Sequence, residues 1–410
     1  MVIVKKKILI LFPNPFTEFN YSKFEISKLE NECKVKVVIH DLSKLVLKER
    51  FNQEWKTKIE KKALKFNSLF KWVISFLSKK NEKLLVINFI KVTNFNSFLI
   101  NLFVKISNHT VIIHSPASIF RSVKPFKKNL NFFYKRINQH KLNMKVYLFS
   151  FQKLFFNFII SKISSPQTII LSSNFKKIAF NHKDINKEKL LKVNFNSYDY
   201  SNSLVYFKKK SFKSRYILYI DNGAPYFTGD AYFKGDSTAY FGNIEKHYKD
   251  LNNFFNKLEK TFKAKVVVIP HPKYKSYSKK IKSLNPFFNN RKINNDYNAL
   301  PQLTPNCLFF IQKHSTAIAF PIFFKRPVML IYSSQQKYAR EEIDSLFYLG
   351  KSIGHKPIDI MNFNKKKISQ SLKINKKKYE KFKYDFLTPI NKSIINTPNY
   401  KILNELTNLN

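Results

Sequence analysis

Glycine is nearly missing from this chain: six occur in 410 residues, none before Gly223, and four crowd between Gly223 and Gly242. Gly supplies backbone conformations and close approaches that other residues resist, so that cluster marks a loop shaped for a purpose. Cysteine is scarcer still. Cys33 and Cys307 lie far apart with no metal-ligand spacing, which argues against a disulfide scaffold and against a zinc site. Cys307 opens an apolar run from Cys307 to Ile311 and reads as a core residue on a strand. Long apolar runs are also lacking. The stretch from Ile8 to Phe12 is too short for a signal-peptide core. Residues 67–77 and 147–163 come closest to a membrane span, yet each is interrupted by Lys or Gln, and they read as core helices rather than helices on a bilayer. These absences predict a cytoplasmic protein, with a peripheral place on the inner face of the cell membrane left open.

Acidic residues are few as well: 26 Asp and Glu face 74 Lys and Arg, giving a formal charge of +48. A chain loaded with Lys, Asn, Ile and Phe acquires some of that charge from composition alone. Two partners would use it: an anionic membrane surface, where each Lys or Arg contributes on the order of 1 kcal/mol, or nucleic acid, whose phosphates need the same residues. Lysine runs at 5–7, 208–210, 365–367 and 376–378 spread the charge over the whole length. A nucleic-acid arm would concentrate it, so the membrane is the favoured partner and nucleic acid the unlikely one.

What is present has an α/β rhythm. With 44% hydrophobic residues the chain can bury two ordinary cores. Short continuous apolar runs separated by helical stretches read as strands of parallel sheets covered on both faces. They fall at 8–12, 36–39, 84–89, 110–114 and 168–171, and again at 216–220, 266–269, 307–311 and 328–332. A helix is expected from Thr17 to about Leu29, and the Phe- and Lys-rich stretch 126–164 reads as helical. Ile244, Tyr248, Leu251, Phe255, Leu258 and Phe262, spaced three and four apart behind a cap at Asn243, predict an amphipathic helix. Residues 202–214 turn polar and basic. The organisation that follows is a first unit over 1–205, a linker over 206–214, a second unit over 215–365, and a basic helix and tail over 366–410.

Three strands of the second unit run straight into polar clusters. In open parallel sheets, ligands bind beyond the carboxyl ends of the strands, where helix N-termini also point. The run at 216–220 leads into Asp221, Asn222 and Gly223, ahead of Asp230 and Asp236 in the glycine-rich loop. A carboxylate there, Asp221 or Asp230, can act as general base on an acceptor hydroxyl, or simply cap a turn. The run at 266–269 leads into Pro270, His271 and Pro272. Flanking prolines limit the backbone, and a fixed His can hold a phosphate oxygen and, protonated, assist a departing nucleotide. The run at 307–311 leads into Lys313, His314, Ser315 and Thr316. A hydroxyl at such a junction either caps a helix in the ordinary way or holds a phosphate at its first turn, with Lys313 or His314 adding charge. Pro321 falls inside the expected helix and would shorten or kink it.

In that order, Asp-Asn-Gly, His-Pro and His-Ser-Thr resemble the motifs of the bacterial sialyltransferases, polysialyltransferases and related enzymes of surface-polysaccharide assembly. Residues 266–274 and 313–331, closing on Lys325-Arg326-Pro327, are also similar to glycosyltransferases encoded in cell-envelope gene clusters. The resemblance spans about 216–331. It implies a GT-B architecture, two Rossmann-like domains with parallel sheets facing across a cleft: an N-terminal acceptor domain and a C-terminal domain for the nucleotide-sugar donor. It also implies an inverting, metal-independent glycosyltransferase with no cofactor beyond a CMP-linked donor such as CMP-sialic acid, acting on a glycan or lipid-linked glycan of capsule, lipopolysaccharide or O-antigen. His271 would bind the donor phosphate and assist CMP departure, while Ser315 and Thr316 hold the same phosphate. Asn222, Gly223, Pro272 and His314 would complete the donor site. The chain departs from the family at Asn222, where the sialyltransferases usually carry the base. That departure keeps open a UDP-sugar-dependent transferase or a sugar-nucleotide 2-epimerase, and the charge keeps open a nucleic-acid-binding protein.

Overall fold

The computed structural model describes residues 7–46, 62–79, 82–114, 144–163, 168–172, 190–192, 204, 215–222, 244–271, 287–296, 298–335, 340–388 and 397–408. Its strands form two parallel sheets. The first holds seven strands in the order β3-β2-β1-β4-β5-β6-β7. These are β1 (Lys7–Phe12), β2 (Lys36–Asp41), β3 (Ala63–Lys65), β4 (Leu85–Asn88), β5 (Thr110–His114), β6 (Thr168–Ser172) and β7 (Leu190–Lys192). The second holds five, β8 (Tyr216–Ile220), β9 (Lys265–Ile269), β10 (Phe310–Gln312), β11 (Val328–Tyr332) and β12 (Ile358–Asp359), in the order β12-β11-β10-β8-β9.

Eight of the nine apolar runs carry strands at or within two residues of the expected limits, because a strand covered on both faces writes itself as unbroken hydrophobicity. The run 307–311 is a partial exception. Its strand starts only at Phe310, since Cys307 closes a 3₁₀ turn (Thr304–Asn306) and its thiol donates to Thr304 O at 3.3 Å. Cys307 is a buried core residue all the same. The short edge strands β3, β7 and β12 were not legible, being two or three residues each.

The helix expected over 17–29 is two helices, α1 (Glu18–Lys23) and α2 (Ile26–Asn31), parted by Glu25 in the left-handed region at φ 51°. Their apolar side packs on one face of the first sheet with Ile8, Ile10 and Phe16. The opposite face is covered by α3 (Ser43–Val46), α4 (Leu69–Leu77) and α5 (Phe95–Ile106), whose Trp72, Phe76, Ile100 and Val104 lie against Leu9, Leu11 and Val86. Beside α5 runs α6 (Met144–Lys162), held where the Lys105 ammonium donates to Ile160 O and Ile163 O at 2.6 and 2.9 Å.

The second sheet is sandwiched in the same manner. On one face lies α7 (Ile244–Phe262), the amphipathic helix expected from its spacing, with Tyr248, Leu251, Phe255 and Leu258 all buried; Asn243, its expected cap, lies outside the described residues. The other face packs α8 (Ala299–Leu303), α9 (Ala319–Phe323), α10 (Arg340–Ile353) and α12 (Lys376–Phe382), while α11 (Lys365–Ser371) places Ile368 on the α7 side. The final helix, α13 (Asn399–Asn408), returns to the first sheet: Tyr400, Leu403 and Leu406 enter the cluster of Ile8, Phe16 and Leu29. Among the described residues no helix is long and apolar enough to cross a membrane.

Candidate functional site

Register decides which sequence clusters meet. Ile220 of β8 pairs with Ile269 of β9 and with Gln312 of β10, so three strands end side by side. The residues that follow, Asp221 and Asn222, Pro270 and His271, and Lys313 to Thr316, are thereby delivered to one edge of the sheet. Asp221 N donates to Ile269 O at 3.0 Å, which ties the end of β8 to the end of β9 just before His271.

The charged groups at this edge sit on the α7 side. Asp221 is 2% exposed, and the Tyr219 hydroxyl lies 3.5 Å from its Oδ1. Lys313 is buried too, its Nζ 3.5 Å from Nε2 of His247, a residue of α7 that is 3% exposed. Burial, and then the Lys313 charge, push the His247 ring down to about 2. At neutral pH the ring is therefore uncharged, and in this contact the ammonium donates while the imidazole accepts. Sequence reading missed His247 because a lone His on the apolar face of a helix looks like any core position.

On the opposite side of β10 stands Gln312, fully buried, with neither amide atom hydrogen-bonded among the described residues. Leaving such a group unsatisfied costs roughly 1–3 kcal/mol. Gln312 stands one residue beyond the expected run 307–311, and nothing local said that it would be sealed in.

Ser315 is half-buried and Thr316 exposed, and both lie where β10 gives way to a 3₁₀ turn, Thr316–Ile318, that passes directly into α9. Ser315 is the N-cap, with Oγ accepting from Ala317 N at 3.2 Å. The expected helix is thus a 3₁₀ turn plus five residues, ending at Phe323 soon after Pro321. So short an element contributes little macrodipole, and positive charge at the edge comes from side chains. His314 and His271 are each half-buried. Gly223, Asp230 and Pro272 lie outside the described residues. The Lys325-Arg326-Pro327 segment is structural here: Lys325 adopts φ 50°, and the Arg326 guanidinium donates to Pro305 O, fixing the turn before β11. Among the described residues no three His, Cys, Asp or Glu side chains are grouped to hold a metal ion.

Comparison with solved structures rests on this architecture. The wall teichoic acid polymerase TagF aligns with 99% of this chain and 89% of its own, at 14% identity and a TM-score of 0.53. The chain has a GT-B fold. A second TagF structure gives a TM-score of 0.51 at 13% identity over 100% of this chain and 89% of that one. The UDP-GlcNAc 2-epimerase of Methanocaldococcus jannaschii gives 0.46 at 14% identity, covering 98% of this chain and 99% of that one. No protein-family model matches the chain, and no curated protein sequence does. In this GT-B chain, the second Rossmann-like domain carries the strand-end cluster of Asp221, His271 and Ser315.

Proposed function

We propose that this chain is an inverting, metal-independent glycosyltransferase of cell-surface glycan assembly that draws on a nucleotide-activated donor held by the second domain. The observation that carries the reading is the shared register of β8, β9 and β10, which gathers acid, imidazole, hydroxyl and ammonium groups from three distant segments at one carboxyl edge. That edge is where open α/β sheets take their ligands. A wall teichoic acid polymerase of the same fold adds support for a role in surface polymers.

In the proposed reaction His271 hydrogen-bonds the donor phosphate and supplies a proton as the nucleotide departs. Ser315 donates its O–H, and Thr316 and Lys313 add hydrogen bonding and positive charge where the leaving group becomes more negative. Asn222, Gly223, Pro272 and His314 line the same edge in this reading. The base that frees the acceptor oxygen is Asp221 or Asp230. Asp221 is so deeply set that it meets an acceptor only inside a closed site, and Asp221→Asn and Asp230→Asn separate the two. The order of the three motifs supports a CMP-linked donor such as CMP-sialic acid, with a glycan or lipid-linked glycan as acceptor. Asn222, standing where the sialyltransferases carry a carboxylate, favours a second reading in which the donor is a UDP-sugar.

A thermal-shift series with CMP, UDP, GDP and ADP, using a single-stranded oligonucleotide as polyanion control, tests these readings. CMP alone should stabilise the protein, and His271→Ala should abolish the shift. Selective stabilisation by UDP moves the assignment to the second reading. Stabilisation by the oligonucleotide alone, with no nucleotide preference, overturns the transferase.

A further inference from the structure

Among the described residues Phe70 is the most exposed large apolar side chain, and such exposure is concentrated. Nine of the twelve large apolar side chains most open to solvent among the described residues lie on three adjacent helices of the first domain, α4, α5 and α6. On α4, Phe70, Ile74 and Leu77 point outward, while Trp72 and Phe76 of the same helix are sealed against the sheet. On α6, Phe151, Leu154, Phe155 and Phe158 are spaced three, one and three apart and so share one helical face. Phe70 is 72% exposed, Phe151 63% and Phe158 62%. The rings of Phe151 and Phe155 stack parallel, 6.3 Å apart. Single exposed apolar residues need no explanation, but a patch gathered on one layer marks a surface that meets something.

Charge says what it meets. The three helices contain no Asp or Glu, and they carry Lys71, Lys105, Lys145, Lys153 and Lys162. Lys71 and Lys162 are exposed beside the apolar residues, with Lys162 Nζ 5.6 Å from the centroid of the Phe158 ring. Aromatic and aliphatic residues on the outer side of a helical layer, with lysines and no acids, fit the boundary between acyl chains and anionic headgroups. Residues 67–77 and 147–163 were expected to be core helices. The inner side of 67–77 is buried, through Trp72 and Phe76, whereas of 147–163 Ile160 alone is buried among the described side chains, and the outer sides of both are open.

We infer that the α4–α5–α6 layer docks this protein on an anionic lipid bilayer, with Phe70, Ile74, Phe151, Leu154 and Phe155 entering the interface and Lys71 and Lys162 meeting headgroups. The inference goes beyond the glycosyl-transfer reading and does not depend on it. Vesicle binding is read without nucleotide and nucleotide binding without vesicles, so each can fail alone.

Flotation of the full chain with vesicles of phosphatidylglycerol and phosphatidylcholine, and of phosphatidylcholine alone, tests the docking. The wild-type chain should float with the anionic vesicles at moderate salt. Phe70→Ser, Ile74→Ser, Phe151→Ser and Phe155→Ser combined should weaken partitioning by about tenfold or more, with far-UV circular dichroism unchanged. Lys71→Glu with Lys162→Glu, at two exposed positions, should weaken it too and make what remains less salt-sensitive. Equal flotation of wild type and the apolar variant would mean attraction by diffuse charge and would overturn the proposal. So would a dimer in sedimentation velocity without lipid that the apolar variant abolishes, since a second copy would then occupy the layer.

Discussion

Replacing Gln312 with Met should make this protein more stable. The side chain is fully buried at the end of the central strand β10, where Gln312 pairs with Ile220 of β8 and Leu330 of β11, and its amide O and N have no hydrogen-bond partner among the described residues. A buried, unsatisfied amide costs about 1–3 kcal/mol, and an apolar side chain of similar length removes that cost without leaving a cavity. For a domain of this size 1 kcal/mol corresponds to roughly 2–4 °C in Tm, so an increase of several degrees is expected. The assay is thermal unfolding followed by far-UV circular dichroism. A lower Tm for Gln312→Met would refute the reasoning, since the amide would then already be satisfied in the unliganded protein.

Two further outcomes follow from the same structure. Burial holds His247 at about 2 and His40 at about 3, far below the ordinary imidazole value, so both are neutral when folded and protonate on unfolding in mild acid. The stability they provide is fully present above the unfolded value of about 6.5 and is lost as pH falls toward the folded values, at about 2 kcal/mol per ring between pH 7 and pH 5. Urea unfolding at the two pH values should show that loss, and His247→Gln should reduce it by one ring's share; an unaltered pH dependence in the variant counts against a neutral buried His247. Phe255 of α7, buried against Tyr219 of β8 with ring centroids 4.9 Å apart, should cost about 3–5 kcal/mol when cut to Ala. A loss below 1 kcal/mol, measured by denaturant unfolding, would mean that α7 is not seated on the sheet in this way.

Much of the fold was written in the chain. The runs at 216–220 and 328–332 coincide with β8 and β11 because strands buried on both faces leave no room for polar alternation. The face of α7 was readable from three- and four-residue spacing, since a helix resting on a sheet buries one stripe and solvates the rest. Asp221, His271 and Ser315 were picked out as residues that follow strands, which places them at a sheet edge before any coordinates are known.

Other features were settled only by packing. Glu25 breaks the first expected helix by adopting φ 51°, a conformation that no local pattern announced. The contact between His247 and Lys313 joins residues far apart in sequence, and only the seating of α7 over β10 brings them together. The return of α13 to the first domain, and the division of α4 into a sealed side and an open one, depend on which neighbours arrive to cover each surface. Periodicity and strand-end chemistry are local properties of the chain and can be read from it. Burial is a property of what packs against a residue from elsewhere, and for Gln312, His247 and Phe151 only the tertiary structure supplied it.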